Sequence, residues 1–204
     1  MTERYLGAGT IARDHSQPTG TVPPHLPRRL TITLWDFSWY TQAGPGQPYE
    51  DLDAAVGEAA SLGYNAIRIC AAPMLMFGGL GLDDLAHYLE IEGLGPSSDG
   101  GFYGQRTRWY DTAGGFRVDM YARIQQLFEA ARRHDIVIVL ASWEYQQSGS
   151  FARSPRWFEA MEAIALDERY DALAAAWTRM IAWLTEAGFR DLIALVELHN
   201  EVDF

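Results

Sequence analysis

Gly188-Phe189-Arg190-Asp191-Leu192-Ile193-Ala194-Leu195-Val196-Glu197-Leu198-His199-Asn200-Glu201 is the stretch on which the fold turns. Gly188 stops a helical pattern, and the short apolar run that follows has the length and composition of a strand buried in a parallel sheet. Residues 191–198 are therefore read as a strand. Polar groups follow it at once, His199, Asn200 and Glu201, and in α/β proteins the carboxyl ends of parallel strands are where ligands and chemistry collect.

Working outward, the same grammar repeats. Leu30-Thr31-Ile32-Thr33-Leu34 is rich in β-branched residues and reads as the first strand, followed directly by Trp35, Asp36 and Trp39. Leu52, Ala55, Val56, Ala59 and Leu62 recur at helical spacing within residues 50–62 and stop at Gly63. Ala66-Ile67-Arg68-Ile69-Cys70 is the second strand. Residues 118–133 carry Tyr121, Ile124, Leu127, Phe128 and Ala131 on one helical face, with Arg132, Arg133 and His134 at the end the helix dipole favours for cations. Ile136-Val137-Ile138-Val139-Leu140 is the third strand, followed by Ser142-Trp143-Glu144. A turn of helix near 156–163 precedes the helix over 169–187, whose inward stripe is Leu173, Trp177, Met180, Ile181 and Leu184. Residues 71–115 form a long excursion, with a short helix at 83–90 and a glycine-rich tip, of the kind that serves as a binding loop or lid.

The order βαβαβαβ, without an internal repeat, gives either a doubly wound sheet or a barrel. The fold class expected is α/β, the first half (about four βα units) of a TIM (β/α)₈ barrel with parallel strands and outer helices. A whole barrel takes ~250 residues, and the chain has 204. Residues 1–29, with Pro23-Pro24 and Pro27, read as an irregular arm, and residues 30–204 as the partial barrel domain. In such a half barrel the outer strands would be bare edges, and Ile32, Ile67, Ile138 and Leu195 would face a missing wall. The expectation is a fragment lacking its C-terminal half-barrel and prone to self-association.

Composition narrows the partners. Sixteen Lys and Arg against 27 Asp and Glu give a formal charge of −11, which disfavours nucleic acid and anionic membranes. No apolar run approaches the ~20 residues of a membrane span. The N-terminus lacks the basic-then-apolar order of a signal peptide, so a cytoplasmic location is the expectation. Cys70, the sole cysteine, lies in a strand and reads as a core thiol.

Polar and aromatic groups thus gather at one end of four predicted strands: Trp35 and Asp36, Arg68, Trp143 and Glu144, and His199, Asn200 and Glu201. Other chemistries lack their signatures. There is no GxGxxG after the first strand, no phosphate loop, no serine elbow and no H-E-x-x-H. His199 with Glu144 and Asp36 could be drawn as a divalent-metal set, but a cleft histidine donating a hydrogen bond is the simpler reading, and no metal or other cofactor is expected. Carboxylates flanked by Trp and Asn suit glycoside hydrolysis, where one carboxylic acid protonates the leaving oxygen and a second carboxylate faces the sugar carbon. Glu201 is the acid/base candidate, since a partly buried strand-end Glu can hold its proton more tightly. Asn200 offers an amide to a sugar hydroxyl. Trp35, Trp39 and Trp143 are candidate stacking platforms or rim packing. Arg68 is either an ion-pair partner in the mouth of the site or the group that orients a catalytic carboxylate.

On these residues the sequence resembles clan A of the glycoside hydrolases, the barrel enzymes that include cellulase-, mannanase- and β-galactosidase-like families. The likeness spans about residues 30–204. It is carried by residues 62–69 (Leu-Gly-Tyr-Asn-Ala-Ile-Arg-Ile), by the helix and strand within 127–140, by residues 188–198, and by the pair Asn200-Glu201. The resemblance implies a retaining β-glycosidase in which Glu201 is acid/base, Asn200 binds the sugar's 2-hydroxyl and Arg68 supports the nucleophile. It places that nucleophile on a seventh strand, beyond the four predicted here. Val202-Asp203 stands where many members have proline, and Ser142-Trp143-Glu144 where many cellulase-like members have histidines. The alternative function is a non-catalytic carbohydrate-binding protein.

Overall fold

A computed structural model describes residues 22–91, 116–142 and 155–198. In chain order the elements are β1 (Ile32–Asp36), α1 (Ser38–Thr41), α2 (Leu52–Ser61), β2 (Ala66–Cys70), α3 (Pro73–Phe77), α4 (Asp83–His87), β3 (Leu89–Ile91), β4 (Phe116–Val118), α5 (Met120–Arg133), β5 (Val137–Ala141), α6 (Pro155–Glu162), α7 (Arg169–Glu186) and β6 (Ile193–Glu197). β1, β2, β5 and β6 form one sheet in that spatial order, and every neighbouring pair is parallel. The architecture is α/β with its parallel strands in one sheet, as the alternation of strand and helix predicts.

The helices begin and end for local reasons. The carboxylate of Asp51 accepts from the N–H groups of Asp53 (2.9 Å) and Ala54 (3.1 Å), which starts α2 at Leu52, two residues later than the apolar spacing suggests. Asp119 caps α5 in the same way through the Ala122 N–H at 3.1 Å. Gly63 and Gly188 take left-handed backbone (φ 88° and 80°) just past α2 and α7. There the following residue bonds back into the last turn, Tyr64 N–H to Ala59 O and Phe189 N–H to Leu184 O. β1 lies about two residues further along the chain than its β-branched stretch suggests, because Asn65 pins what precedes it. Its Oδ1 accepts from Thr31 N–H (2.7 Å) and its Nδ2 donates to Arg29 O (2.9 Å).

The sheet has two unlike faces. Ile67, Ile69, Ile138 and Leu140 join the core formed with Val56, Leu127, Phe128, Trp177, Met180 and Leu184 of the helices. On the opposite face one level of the ladder reads Leu34, Arg68, Val139, Leu195 across the four strands. Here Leu34 is 64% exposed, Leu195 44% and, one level down on β1, Ile32 39%. The expectation that Ile32, Ile67, Ile138 and Leu195 share a face is thus half wrong. Ile67 and Ile138 lie under the helices, because side chains alternate with period two and both fall on the parity opposite to Ile32 and Arg68.

The excursion after β2 is also more ordered than a loop where the structure describes it. α3 packs on α7, with Arg179 Nε donating to Phe77 O at 2.6 Å, and Phe77, Tyr121 and Trp183 meet ring to ring. β3 pairs antiparallel with β4 as a separate ribbon. Its glycine-rich tip, 93–104, lies outside the described residues. Among the described residues, no helix is long and apolar enough to cross a membrane. Cys70 is a buried thiol in the core, as its place in β2 predicts.

Candidate functional site

The carboxyl ends of β1, β2 and β6 converge on one cation. Arg68 leaves β2 on the face away from the helices. It donates from Nε to Glu197 Oε2 and from Nη2 to Glu197 Oε1, both at 2.9 Å, and from Nη1 to Asp36 Oδ1. The Glu197 contact is a two-point fork, the geometry that suits a planar guanidinium best. Arg68 is nearly buried, whereas each carboxylate keeps about a third of its side chain open to solvent (11% against 33%). β1 delivers Asp36 through an irregularity in its pairing with β2 between Leu34 and Asp36, and Asp36 itself has left-handed backbone (φ 43°). A non-glycine residue in that conformation costs about 1 kcal/mol or more, which the surrounding packing must hold.

Burial pushes the Asp36 carboxyl above its ordinary range. The charge and hydrogen bond of Arg68 oppose that rise, and the charge of Glu197 adds to it. Burial likewise works against Arg68, but its hydrogen bonds to Glu197 and the charges of both carboxylates prevail and hold the guanidinium protonated. One guanidinium is shared by two acids, and Glu197 has the larger share of its donors. Because Asp36 binds its proton more tightly folded than unfolded, its ionised form weighs against the fold at neutral pH. That cost disappears as the pH falls through its raised pKa. Asp36→Asn removes this titration. Urea unfolding of the two proteins should therefore show wild type gaining stability relative to the variant as pH is lowered from 7; a relative loss would mean Arg68 outweighs burial.

Two predicted stacking residues prove to be core. Trp39 has no exposed surface, and its Nε1–H donates to the carbonyl of Cys70 at 3.0 Å. Trp35 is 6% exposed and meets the Tyr49 ring edge-on with centroids 4.9 Å apart. An indole with both faces covered cannot stack on a sugar, so both Trp39 and Trp35 are corrected from substrate contacts to supports beneath the site. Arg123 of α5 braces the same loop. It is nearly buried and donates to the carbonyls of Trp39, Tyr49 and Glu50, and burial pushes its pKa down to about 10 against the opposing charge of Asp51. Trp39→Phe should cost about 1 kcal/mol in chemical denaturation, for one lost hydrogen bond and some packing, and should leave carbohydrate affinity unchanged.

Asp36 and Arg68 are thus brought together as predicted site residues. Trp143, Glu144, His199, Asn200 and Glu201 lie outside the described residues. The strand leading to the last three is anchored close to them, since Trp177 Nε1–H donates to Leu198 O at 2.9 Å. The residue the sequence reading missed is Glu197, taken there as part of an apolar strand. Its signal is the pairing problem of Arg68: a guanidinium within a buried strand needs a carboxylate on its own face, and Glu197 is the acid that the parity of β6 supplies. Among the described residues, no group of three or more His, Cys, Asp or Glu converges as metal ligands.

Fold and site together define a parallel α/β protein with a charged cluster at its strand ends. A family model described as sugar-binding cellulase-like matches residues 32–203, and the chain belongs to that family. Among solved structures, a candidate glycoside hydrolase from Parabacteroides distasonis, determined at 1.85 Å, matches with a TM-score of 0.58 and 24% sequence identity. The match covers 84% of this chain and 38% of that one, so this chain spans well under half the length of that structure, and the likeness carries the fold alone. A search of curated proteins finds no match.

Proposed function

We propose that the chain supplies the first four βα units of a (β/α)₈ barrel that binds β-linked oligo- or polysaccharides and hydrolyses their O-glycosidic bonds with retention, Glu201 acting as acid/base. The observation that carries this reading is the meeting of Asp36, Arg68 and Glu197 at the carboxyl ends of three parallel strands, the end at which such barrels bind and transform their substrates. The sugar-binding description of the family agrees with it. So does the exposed apolar face that carries Leu34 and Leu195, which is the face a complete barrel would turn inward.

In this mechanism Glu201 protonates the departing oxygen, Asn200 holds a sugar hydroxyl, and a second carboxylate ~5–5.5 Å away attacks the anomeric carbon. By the resemblance that nucleophile belongs to a seventh strand, outside the four units proposed here. The cytoplasm is the proposed location.

The test is to incubate the full-length gene product with aryl β-glycosides and cello- or manno-oligosaccharides. Release of aglycone or shorter sugars with retained anomeric configuration is the expected result. Binding without release would favour the carbohydrate-binding alternative, and neither binding nor release would overturn the reading.

A further inference from the structure

Arg68 and Glu197 sit on strands that are not neighbours. β5 lies between β2 and β6, and strands spaced ~4.8 Å apart put the two backbones about 10 Å apart. The fork must therefore cross the face of β5. The ladder shows where: Arg68 is level with Val139, and Cys70, Ala141 and Glu197 are level with one another. Ala141 is fully buried and of the same parity as Arg68, so a single methyl group occupies β5 at the level of Glu197. From the other side, Asp36 reaches Arg68 out of a left-handed backbone position.

We infer that Glu197 is a positioning residue of the strand-end site, and that the small side chain of Ala141 is what allows it to reach Arg68 across β5. Glu197 holds the guanidinium plane at two points and Asp36 at a third, so a long side chain that would otherwise sample many rotamers is presented in one orientation. An ordered cation costs a ligand less to engage than one that must be ordered on binding. The inference deepens the carbohydrate reading, on which its consequence for binding rests.

The experiment follows the Arg68 side-chain N–H resonances in the isotope-labelled full chain and, separately, the affinity for cellotetraose. In wild type the Arg68 Nη protons should appear as distinct, slowly exchanging signals. In Glu197→Gln they should merge or vanish. Ala141→Leu should do the same without altering any charge. Ala141→Ser, which adds little bulk, should keep them, and it covers the case in which the leucine variant fails to fold. Cellotetraose affinity should fall about tenfold in Glu197→Gln, with the backbone spectrum unchanged. Unaltered Arg68 signals in Glu197→Gln overturn the inference, as does their loss in Ala141→Ser. If wild type binds no sugar, the carbohydrate reading fails, while the Arg68 spectra still decide the clamp.

Discussion

Arg68→Met should destabilise the protein by about 3 kcal/mol, since it leaves two carboxylates close together at the strand ends without their cation. Breaking a buried pair by removing one partner costs about 3–5 kcal/mol, and the solvent that reaches Asp36 and Glu197 sets this case at the lower end. Arg68→Lys keeps the charge but cannot fork onto Glu197, so it should recover only part of the loss. The sign of the pH dependence is a further check. With the cation gone, Arg68 no longer opposes the rise that burial gives the Asp36 carboxyl, so the variant should regain stability as pH falls below neutral. Urea titrations of the three proteins at pH 7 and 5 measure this. A loss under ~1 kcal/mol at pH 7 would mean that the cluster is solvated like an ordinary surface pair.

On the proposed reading, Glu201→Gln in the full-length gene product should lower turnover of unactivated β-glycosides by about 10²–10⁴-fold, the usual contribution of a positioned acid/base. The amide cannot protonate the leaving oxygen, nor deprotonate the water that releases the second product. Dinitrophenyl glycosides leave without a proton, so their first step should be spared and a burst of aglycone should precede slow turnover. Equal losses on both substrate types would exclude Glu201 from proton transfer, and unchanged turnover would exclude it from the site altogether.

Much of the fold was legible because its signals are local. The second strand and the long helices followed from apolar periodicity and the stops at Gly63 and Gly188. Where the boundaries differed, polar side chains outside the apolar pattern decided them: the capping residues Asp51 and Asp119 set the helix starts, and Asn65, 34 residues away from Thr31, set the start of the first strand. The hairpin-like pairing of β3 with β4 was missed because each strand has three residues, too few for alternation to show.

The site divides in the same way. That Asp36 and Arg68 lie near one another at the strand ends could be read from their places just beyond or within buried strands. That Trp35 and Trp39 are buried could not, since an indole after a strand suits a rim and a core equally well until its neighbours are known.

The sequence by itself determined a parallel α/β chain and the strand ends at which its charged groups gather, because hydrophobic period and helix caps act over a few residues. Only the tertiary structure decided that Glu197 is Arg68's principal partner and that Ile67 and Ile138 face the helices. Those facts depend on strand order and register, which bring together side chains 129 residues apart.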